Sequence, residues 1–414
     1  MHQLAGLSDE ESWDFFVKKA FPESTTTYDP RLEEIGRKIV KECKGLPLAI
    51  NTIGGLIRTK EDPSEWKIIE NSTLWNLPQE NNDIIPSLLL SFNNLSSPSL
   101  KQCFAYCAIY PKEVLIDRED LINLWNAQGF LHCQAEGKNL TPEELGGKYV
   151  DILLNNSLLQ AKARSSYSGD VTEFRLHYLV HDIALYISRY DCLIWKGLDK
   201  IGNPPGGVHL ALFSEDGIKI SESPSENMAW LWTLHSTVNL TKDFLVHTKN
   251  LRVLKLASTG VEEVPPAIAR LNHLRYVDLS HNPIVTLPES ITSLYHLQTF
   301  RLFGYKLMEL PQKLYRLVNL RDLHLTSRSW CLPKGIERLT AIQTLPMLEL
   351  NEGCGWELGE LGALSDIRGL LSISGLEHVK GHGEAEKATI WKKAGISEMQ
   401  LIWGWEGLAI TRIF

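Results

Sequence analysis

Cysteine and histidine side chains are the first candidates for chemistry in this chain of 414 residues. Cys103 and Cys107 lie four positions apart, and His132 and Cys133 follow, so thiolate and imidazole groups could together bind zinc. The alternative is an ordinary core, because cysteine is among the residue types most often buried and these two flank Phe104. We favour the core interpretation and predict no metal site.

The cysteine count also bears on the cellular compartment. Seven cysteines form an odd set without paired spacing, which argues against the disulfide framework of a secreted protein. The first residues lack the basic and apolar regions of a signal peptide. The longest uncharged apolar run, Gly45 to Ile57, has thirteen residues and is too short to span a bilayer. We therefore expect a cytoplasmic protein in a reducing environment, without a transmembrane segment.

Phosphate chemistry is a further possibility that the sequence can address. A loop of the form G-x-x-x-x-G-K-S/T would surround phosphates with backbone amides and a lysine, and no such loop occurs. No predicted strand ends in the acidic cluster that would hold Mg²⁺. We therefore predict that this chain is not an enzyme.

A repeat of 23 residues determines where many of the remaining polar side chains lie. The two leucine series with this step are Leu251, Leu274, Leu297 and Leu320, and Leu256, Leu279, Leu302 and Leu325. Each unit also carries an apolar residue followed by proline, which interrupts any continuous helix. The pattern predicts leucine-rich repeats, in which short strands alternate with irregular arcs and successive coils stack into a solenoid.

Residues between the strand leucines should point to the concave side of this solenoid and stack from coil to coil. One row is Arg252, Arg275, Gln298 and Arg321, and the next is Lys255, Asp278, Arg301 and His324. Residues 250–340 carry a net charge of +5, whereas the whole chain carries −8 and the remainder therefore −13. We predict that this basic face binds an acidic protein partner, and the alternative is a solvated face without a partner.

The first half of the chain has the pattern of helices with one small hairpin. Apolar residues from Leu32 to Cys43 share one helix face, Gly45 ends that helix, and Pro47 can begin the next. Helices are predicted at 84–92, 98–110, 117–130, from Thr141 onward and at 179–190, with strands at 158–164 and 171–176. This order is typical of a winged helix. Residues 85–190 have a net charge of −2, so we predict no nucleic-acid binding.

Together these patterns predict a mixed α and α/β chain of four parts. They are a helical part at 1–80, a winged helix at 81–190, a Gly- and Pro-rich linker at 191–207 and a leucine-rich-repeat domain at 208–414. Weaker repeat strands are predicted at 208–212, 231–234, 342–345, 371–376 and 401–403. The chain stops at Phe414 without the polar capping unit that solenoids usually need, so we expect a truncated domain.

Three motifs precede the repeats in a distinctive order. They are G-L-P-L-A from Gly45, C-F-A-Y-C from Cys103 leading to Y-P-K-E, and L-I-N-L-W from Leu121 followed by Gly129-Phe130. Their combination resembles plant nucleotide-binding leucine-rich-repeat disease-resistance proteins of the coiled-coil class, over nearly the whole chain. The resemblance implies a helical remnant of the NB-ARC module, and it implies that the coiled coil and the phosphate-binding-loop portion are lacking here.

The resemblance also implies two sets of nucleotide contacts. In the family, the G-L-P-L turn packs on the base and sugar of ADP, and this role would fall to Gly45, Leu46, Pro47 and Leu48. The histidine of a Met-His-Asp motif reaches the diphosphate, and its place is taken here by His177, which can donate to a phosphate oxygen. Tyr178 replaces the aspartate, so the fixed negative charge is missing. For the G-L-P-L turn, the alternative is an ordinary corner between two helices. For His177, the alternative is a histidine at the end of a hairpin that binds no ligand.

The function that the resemblance implies is that of an intracellular immune receptor. In the family ADP holds the inactive state, and recognition by the repeats with exchange to ATP activates the receptor. We expect this chain to supply the regulatory and recognition parts of such a switch, without binding ADP or ATP tightly by itself. The expected partners are a pathogen effector or a guarded host protein, and the NB-ARC module within the molecule. The alternative is a leucine-rich-repeat scaffold or decoy that works without nucleotide.

Overall fold

A computed structural model describes most of the chain. The described residues are 6–21, 29–60, 62–76, 84–132, 140–165, 169–195, 208–213, 228–240, 244–304, 306–326 and 328–404, with the backbone of 408–413. The chain divides into two units, residues 1–189 and 190–414. Within the described residues, no helix has the length and apolar character needed to cross a membrane.

The first unit consists mainly of helices whose starts are marked in the sequence. The helices are α1 (Asp9–Ala20), α2 (Pro30–Glu42), α3 (Pro47–Ile57), α4 (Pro63–Glu70), α5 (Ile85–Asn93), α6 (Pro98–Tyr106), α7 (Arg118–Gln128), α8 (Pro142–Asn155) and α9 (Tyr178–Ile187). Proline begins five of them, at a position where its missing N–H costs no hydrogen bond. Ser8 and Thr141 form capping boxes with Glu11 and Glu144. The helix predicted at 98–110 instead ends at Tyr106 and continues as a short 3₁₀ turn.

A small antiparallel sheet completes the winged-helix arrangement. Its strands β1 (Ile116–Asp117), β2 (Gln160–Arg164) and β3 (Val171–Arg175) lie in the order β1-β3-β2. Strands β2 and β3 form the predicted hairpin, and residues 166–168 of its turn lie outside the described part. Phe174 of β3 is fully buried, which fixes the sheet against the helices.

The second unit is a solenoid built on two sheets. The first has seven parallel strands in sequence order: β4 (Cys192–Trp195), β5 (His209–Leu212), β6 (Thr233–Ser236), β7 (Val253–Lys255), β8 (Tyr276–Asp278), β9 (Thr299–Leu302) and β10 (Asp322–Leu325). The second contains β11 (Leu348–Glu349), β12 (Arg368–Ser374) and β13 (Gly395–Trp403) in parallel, with β14 (Leu408–Ile413) antiparallel to β13. A short helix, α10 (His382–Lys387), precedes β13.

The repeat residues form the solenoid core as the 23-residue step requires. Leu254, Val277, Phe300 and Leu323 are paired in register across β7 to β10, and all four are buried. The arcs return through short 3₁₀ segments, most of which bury at least one apolar residue, for example Ile268 and Ile291. Each coil therefore buries its apolar face only against its neighbours, as in other repeat proteins.

The structure corrects the predicted linker at 191–207. Its first residues form β4, which pairs in parallel with β5 and is the edge strand of the seven-stranded sheet. The composition of Gly202 to Gly207 suggested a linker, but the apolar run from Cys192 to Trp195 can extend the sheet by one more strand. Residues 196–207 lie outside the described part.

Candidate functional sites

The G-L-P-L turn lies between α2 and α3, and its shape depends on Gly45. The backbone of Gly45 has a φ of +69°, in the left-handed region that favours glycine. Its carbonyl accepts a hydrogen bond from the Leu7 N–H at 2.9 Å. A Cβ at this position would lie 2.4 Å from the Leu7 carbonyl oxygen, so only glycine fits. The sequence predicted the turn but not the close approach of Leu7.

The turn presents an apolar surface beside the start of α3. Pro47 is exposed, and Leu46 and Leu48 are half-buried. Leu46 is the N-cap of α3 and makes no side-chain hydrogen bond to the first amides of the helix. Such a surface can pack against a flat apolar group, and the amide end of the helix favours nearby negative charge.

His177 is the N-cap of α9. Its Nδ1 accepts a hydrogen bond from the Leu179 N–H at 3.3 Å, so the neutral ring carries its proton on Nε2. Burial lowers the pKa of His177, Glu113 acts in the opposite direction, and Arg175 lowers the pKa as well. The side chain therefore offers a neutral N–H donor at neutral pH. Among the described residues, no hydrogen bond or ion pair joins His177 to the G-L-P-L turn.

The residues that follow His177 have different roles. Tyr178 is exposed and packs its ring on the imidazole, with 4.4 Å between the ring centroids. His181 is buried and donates from Nε2 to the carbonyl of Tyr110 at 2.7 Å. Asp182 forms an exposed ion pair with Lys112 at 2.6 Å. His181 and Asp182 therefore connect α9 to residues 110–112.

Cys103 and Cys107, the candidate zinc ligands, lie in the core of the first unit. Both are fully buried, and the Cys107 thiol donates to the carbonyl of Cys103 at 3.3 Å. Burial raises the pKa of both thiols, so the thiolate form that a metal requires is disfavoured. Cys133 lies outside the described residues, and within them no group of three His, Cys, Asp or Glu could hold a metal ion.

Parallel pairing aligns both predicted rows of the concave face. Lys255, Asp278, Arg301 and His324 are in register across β7 to β10. Arg252, Arg275, Gln298 and Arg321 directly precede the same four strands. The N–H of Arg275 donates to the Arg252 carbonyl at 2.8 Å, and the N–H of Arg321 donates to the Gln298 carbonyl at 2.7 Å. Strand pairing therefore aligns the members of each predicted row from coil to coil.

Aromatic rings hold two of these arginines. The guanidinium carbon of Arg252 lies 3.9 Å from the ring centroid of Trp232, and that of Arg301 lies 5.3 Å from the ring of Phe303. Both distances are short enough for cation–π interactions, which hold each guanidinium group in a defined position. Burial, and then the charge of Arg275, lower the pKa of Arg252.

Sequence reasoning missed a third row that lies between the other two. Its members are Val253, Tyr276, Thr299 and Asp322, which are in register and buried. Asp322 accepts hydrogen bonds from Thr344 at 3.0 Å and from Thr299 at 3.4 Å. The same 23-residue step marks these positions. Asp278 is also buried, and its Oδ2 lies 4.0 Å from the Nζ of Lys255. The basic face therefore also contains carboxylate groups.

A disulfide bond joins Cys331 to Cys354, and the prediction that no cysteines have paired spacing was wrong. The two residues are 23 positions apart and their Cα atoms are separated by 5.2 Å. They lie in successive coils, which bridge through Trp330 and Leu348.

The winged helix and the solenoid each match a family model. The model of the disease resistance protein winged helix domain matches residues 109–184, and that of a leucine-rich repeat region matches residues 232–400. The solved structure of a Listeria monocytogenes internalin is 18% identical and covers 48% of this chain and 55% of that chain, with a TM-score of 0.37. That score is too low to support an inference.

Curated relatives extend the likeness over nearly the whole chain. Putative disease resistance protein RGA1 of Solanum bulbocastanum is 36% identical over 409 residues, which are 98% of this chain and 39% of that protein. Putative disease resistance protein RGA4 of the same species is 37% identical over 414 residues, which are 98% of this chain and 38% of that protein. Disease resistance protein RPM1 of Arabidopsis thaliana is 35% identical over 193 residues, 46% of this chain and 20% of that protein.

The fold and its matches define a class of protein in which a winged helix is followed by leucine-rich repeats. Over nearly its whole length the chain is similar to plant disease-resistance proteins, as the resemblance of its motifs implied. It spans about two fifths of the length of the two Solanum relatives described above.

Proposed function

We propose that this chain is the regulatory and recognition part of a cytoplasmic plant immune receptor whose states are set by ADP and ATP. The similarity to disease-resistance proteins over 98% of the chain supports an immune role. His177 falls within the matched winged helix, at residues 109–184. Together these observations support a regulatory contact in the first unit and a recognition surface in the second.

The residues of the first unit fit the nucleotide contacts that the family implies. Leu46, Pro47 and Leu48 supply apolar surface for a base and sugar. The Nδ1 atom of His177 already accepts from the Leu179 N–H, so Nε2–H is the donor that a phosphate oxygen needs. Bound ADP would supply the diphosphate negative charge. Tyr178 offers no charge beside His177, so we expect the inactive state to be held less firmly than by a Met-His-Asp motif.

The first unit by itself offers few contacts for a nucleotide. The sequence contains no loop of amides and lysine for phosphates and no predicted strand that ends in an acidic cluster for Mg²⁺. The contacts available are an apolar surface and one histidine donor. We propose that this chain is not an enzyme and does not bind ADP or ATP tightly by itself.

We assign recognition of a partner to the basic concave face. The observation that supports this assignment is that strand pairing aligns the rows of this face. Fixed positive charges at Arg252 and Arg301 suit an acidic protein surface. The partners we propose are a pathogen effector or a guarded host protein, and the NB-ARC module of the intact receptor. We propose no nucleic-acid partner.

A second candidate function is a leucine-rich-repeat scaffold or decoy that works without nucleotide. Tyr178 favours this alternative, because it replaces the aspartate of the regulatory motif while the concave face remains complete. The two candidates share the recognition surface and differ in whether ADP changes the behaviour of the chain.

Binding of fluorescently labelled poly-L-glutamate tests the recognition surface, with fluorescence anisotropy at low and physiological salt as the readout. We expect the Arg252→Glu/Arg275→Glu/Arg321→Glu variant to bind at least about tenfold more weakly than the wild type. The matched control is Arg270→Glu/Arg316→Glu/Lys334→Glu, which makes the same change in net charge at exposed residues of the arcs. Equal loss in both variants would show that net charge, rather than the concave face, determines binding.

A further inference from the structure

Cys331 and Cys354 lie in two successive coils of the solenoid, with their Cα atoms 5.2 Å apart and a disulfide between them. We propose that they form a reversible redox site, which is oxidised by low-molecular-weight disulfides of the glutathione type and reduced by the corresponding thiols. Nothing in this chemistry requires a nucleotide or a protein partner, so the site is independent of the proposed immune switch.

Backbone hydrogen bonds hold the two coils together without help from the sulfur atoms. The N–H of Trp330 donates to the Met347 carbonyl at 2.8 Å, and the N–H of Glu349 donates to the Trp330 carbonyl at 2.8 Å. Trp330 directly precedes Cys331 in the chain, and its ring is buried. Cys331 therefore stays beside the next coil when the disulfide is open.

The loop that carries Cys354 is also shaped by its own contacts. Asn351 accepts from the Gly353 N–H at 2.8 Å through its side chain, and from the Cys354 N–H at 3.1 Å through its carbonyl. A Cβ on Gly355 would lie 2.8 Å from the Lys334 nitrogen, so this loop packs tightly on the coil that contains Cys331. The two thiols are thus preorganised, and bond formation needs little movement of the backbone.

Exposure separates this pair from the other cysteines that the structure describes. Cys331 is exposed and Cys354 is half-buried, whereas Cys43, Cys103, Cys107 and Cys192 are buried. Burial raises the pKa of the Cys43 and Cys192 thiols to about 12. A soluble disulfide can therefore reach Cys331, while the buried thiols remain protonated and shielded.

The reaction balances as two thiol–disulfide exchanges. The Cys331 thiolate attacks one sulfur of glutathione disulfide, forms a mixed disulfide and releases one glutathione thiolate. The Cys354 thiolate then attacks the Cys331 sulfur and releases the second glutathione. The protein loses two protons and two electrons, and glutathione disulfide becomes two glutathione molecules. Excess glutathione reverses both steps.

A redox titration of the full 414-residue chain tests the proposal directly. The native protein is equilibrated in buffers of increasing glutathione disulfide to glutathione ratio, and free thiols are then alkylated under denaturing conditions. Peptide mass spectrometry should show Cys331 and Cys354 converting together into one linked species, with Cys43, Cys103 and Cys107 alkylated throughout. Two independent thiols at every ratio, or a bond that persists in excess glutathione, would overturn the proposal.

Serine variants provide the control and a second readout. Cys354→Ser should leave Cys331 as a mixed disulfide with glutathione, because Cys331 is the exposed thiol of the pair. Reduction should lower the thermal midpoint of the wild-type solenoid by about 10 °C, because the bond joins residues 23 positions apart. The Cys331→Ser/Cys354→Ser variant should show no shift on reduction. An equal shift in this variant would contradict a role for the pair.

Discussion

The two units build their candidate sites in different ways. In the first unit the site depends on single positions: Gly45 adopts a left-handed turn that leaves no space for a Cβ, and His177 caps one helix. In the second unit the concave face consists of rows, and parallel pairing aligns each residue with its equivalent one repeat later. Single substitutions should therefore disrupt the first site locally, whereas the second surface depends on stacking between coils.

The strongest test of the single-position site is Gly45→Ala. The new Cβ would lie 2.4 Å from the Leu7 carbonyl oxygen at a φ of +69°, so we expect a loss of about 3–5 kcal/mol in the stability of the first unit. Gly169→Ala is the matched control, because Gly169 has a φ of +74° and nothing within 4 Å of an added Cβ, and should cost about 1 kcal/mol. Chemical denaturation with hydrogen exchange of first-unit peptides measures both, and equal losses would contradict the packing argument.

Asn282→Ala tests how coils depend on each other. Its buried side chain accepts from the N–H groups of Thr259 at 3.1 Å and Val261 at 3.0 Å, and it donates to the Leu256 and Leu279 carbonyls. We expect a loss of about 2–3 kcal/mol, since several backbone groups would be left unsatisfied.

Hydrogen exchange should locate this loss in the coils around residues 256–282. The exposed Asn272→Ala variant should change stability by less than about 0.5 kcal/mol. Increased exchange confined to residues 348–374 would contradict nearest-neighbour stacking.

His209 should make the stability of the solenoid depend on pH. Burial, and then the charge of Arg252, lower the pKa of His209 to about 3, below its ordinary value of 6.5. Between pH 6.5 and about pH 3, His209 is protonated in the unfolded state but neutral in the folded state. The free energy of unfolding therefore has its full value above pH 6.5 and falls as the pH decreases below it. The slope should approach about 1.4 kcal/mol per pH unit for one such group. His209→Gln should reduce the slope by this amount in urea unfolding between pH 6 and pH 4, and an unchanged slope would exclude His209 as its source.

Tyr178→Asp should have the smallest effect on stability. Tyr178 is the first residue of α9, where a carboxylate interacts favourably with the helix dipole, so we expect a gain of about 0.5 kcal/mol at pH 7. Tyr186→Asp is the matched control, since Tyr186 is exposed on the same helix but lies near its C-terminal end. A gain of the same size in both variants, measured by denaturation of the first unit, would exclude the dipole as its cause.

Much of the solenoid was predictable because its register follows directly from a fixed step. The rows that begin with Arg252 and Lys255 lie where the spacing placed them. The disulfide was missed because the repeat becomes irregular between Cys331 and Cys354, so no spacing rule predicted that they meet. The row of Tyr276 was missed because only the first and last position of each short strand segment was assigned to the concave face.

Less of the first unit was predictable, because its contacts join residues that are distant in sequence. The G-L-P-L turn was evident from Gly45 and Pro47, but the packing of Leu7 on Gly45 has no signal in the sequence. The helix-capping hydrogen bond that places the proton of His177 on Nε2 is local, but it depends on the backbone geometry at the start of α9. In the second unit, composition failed to distinguish β4 from a linker, because strand formation there depends on pairing with β5.

Titration of the purified chain with fluorescently labelled ADP tests the central claim that this chain holds regulatory contacts without a complete phosphate site. A full-length Solanum relative measured alongside provides the reference. We predict binding at least about 100-fold weaker than to that reference, because one histidine donor replaces a cradle of amides and lysine. His177→Ala should weaken the residual binding further. Affinity equal to that of the reference would contradict the account.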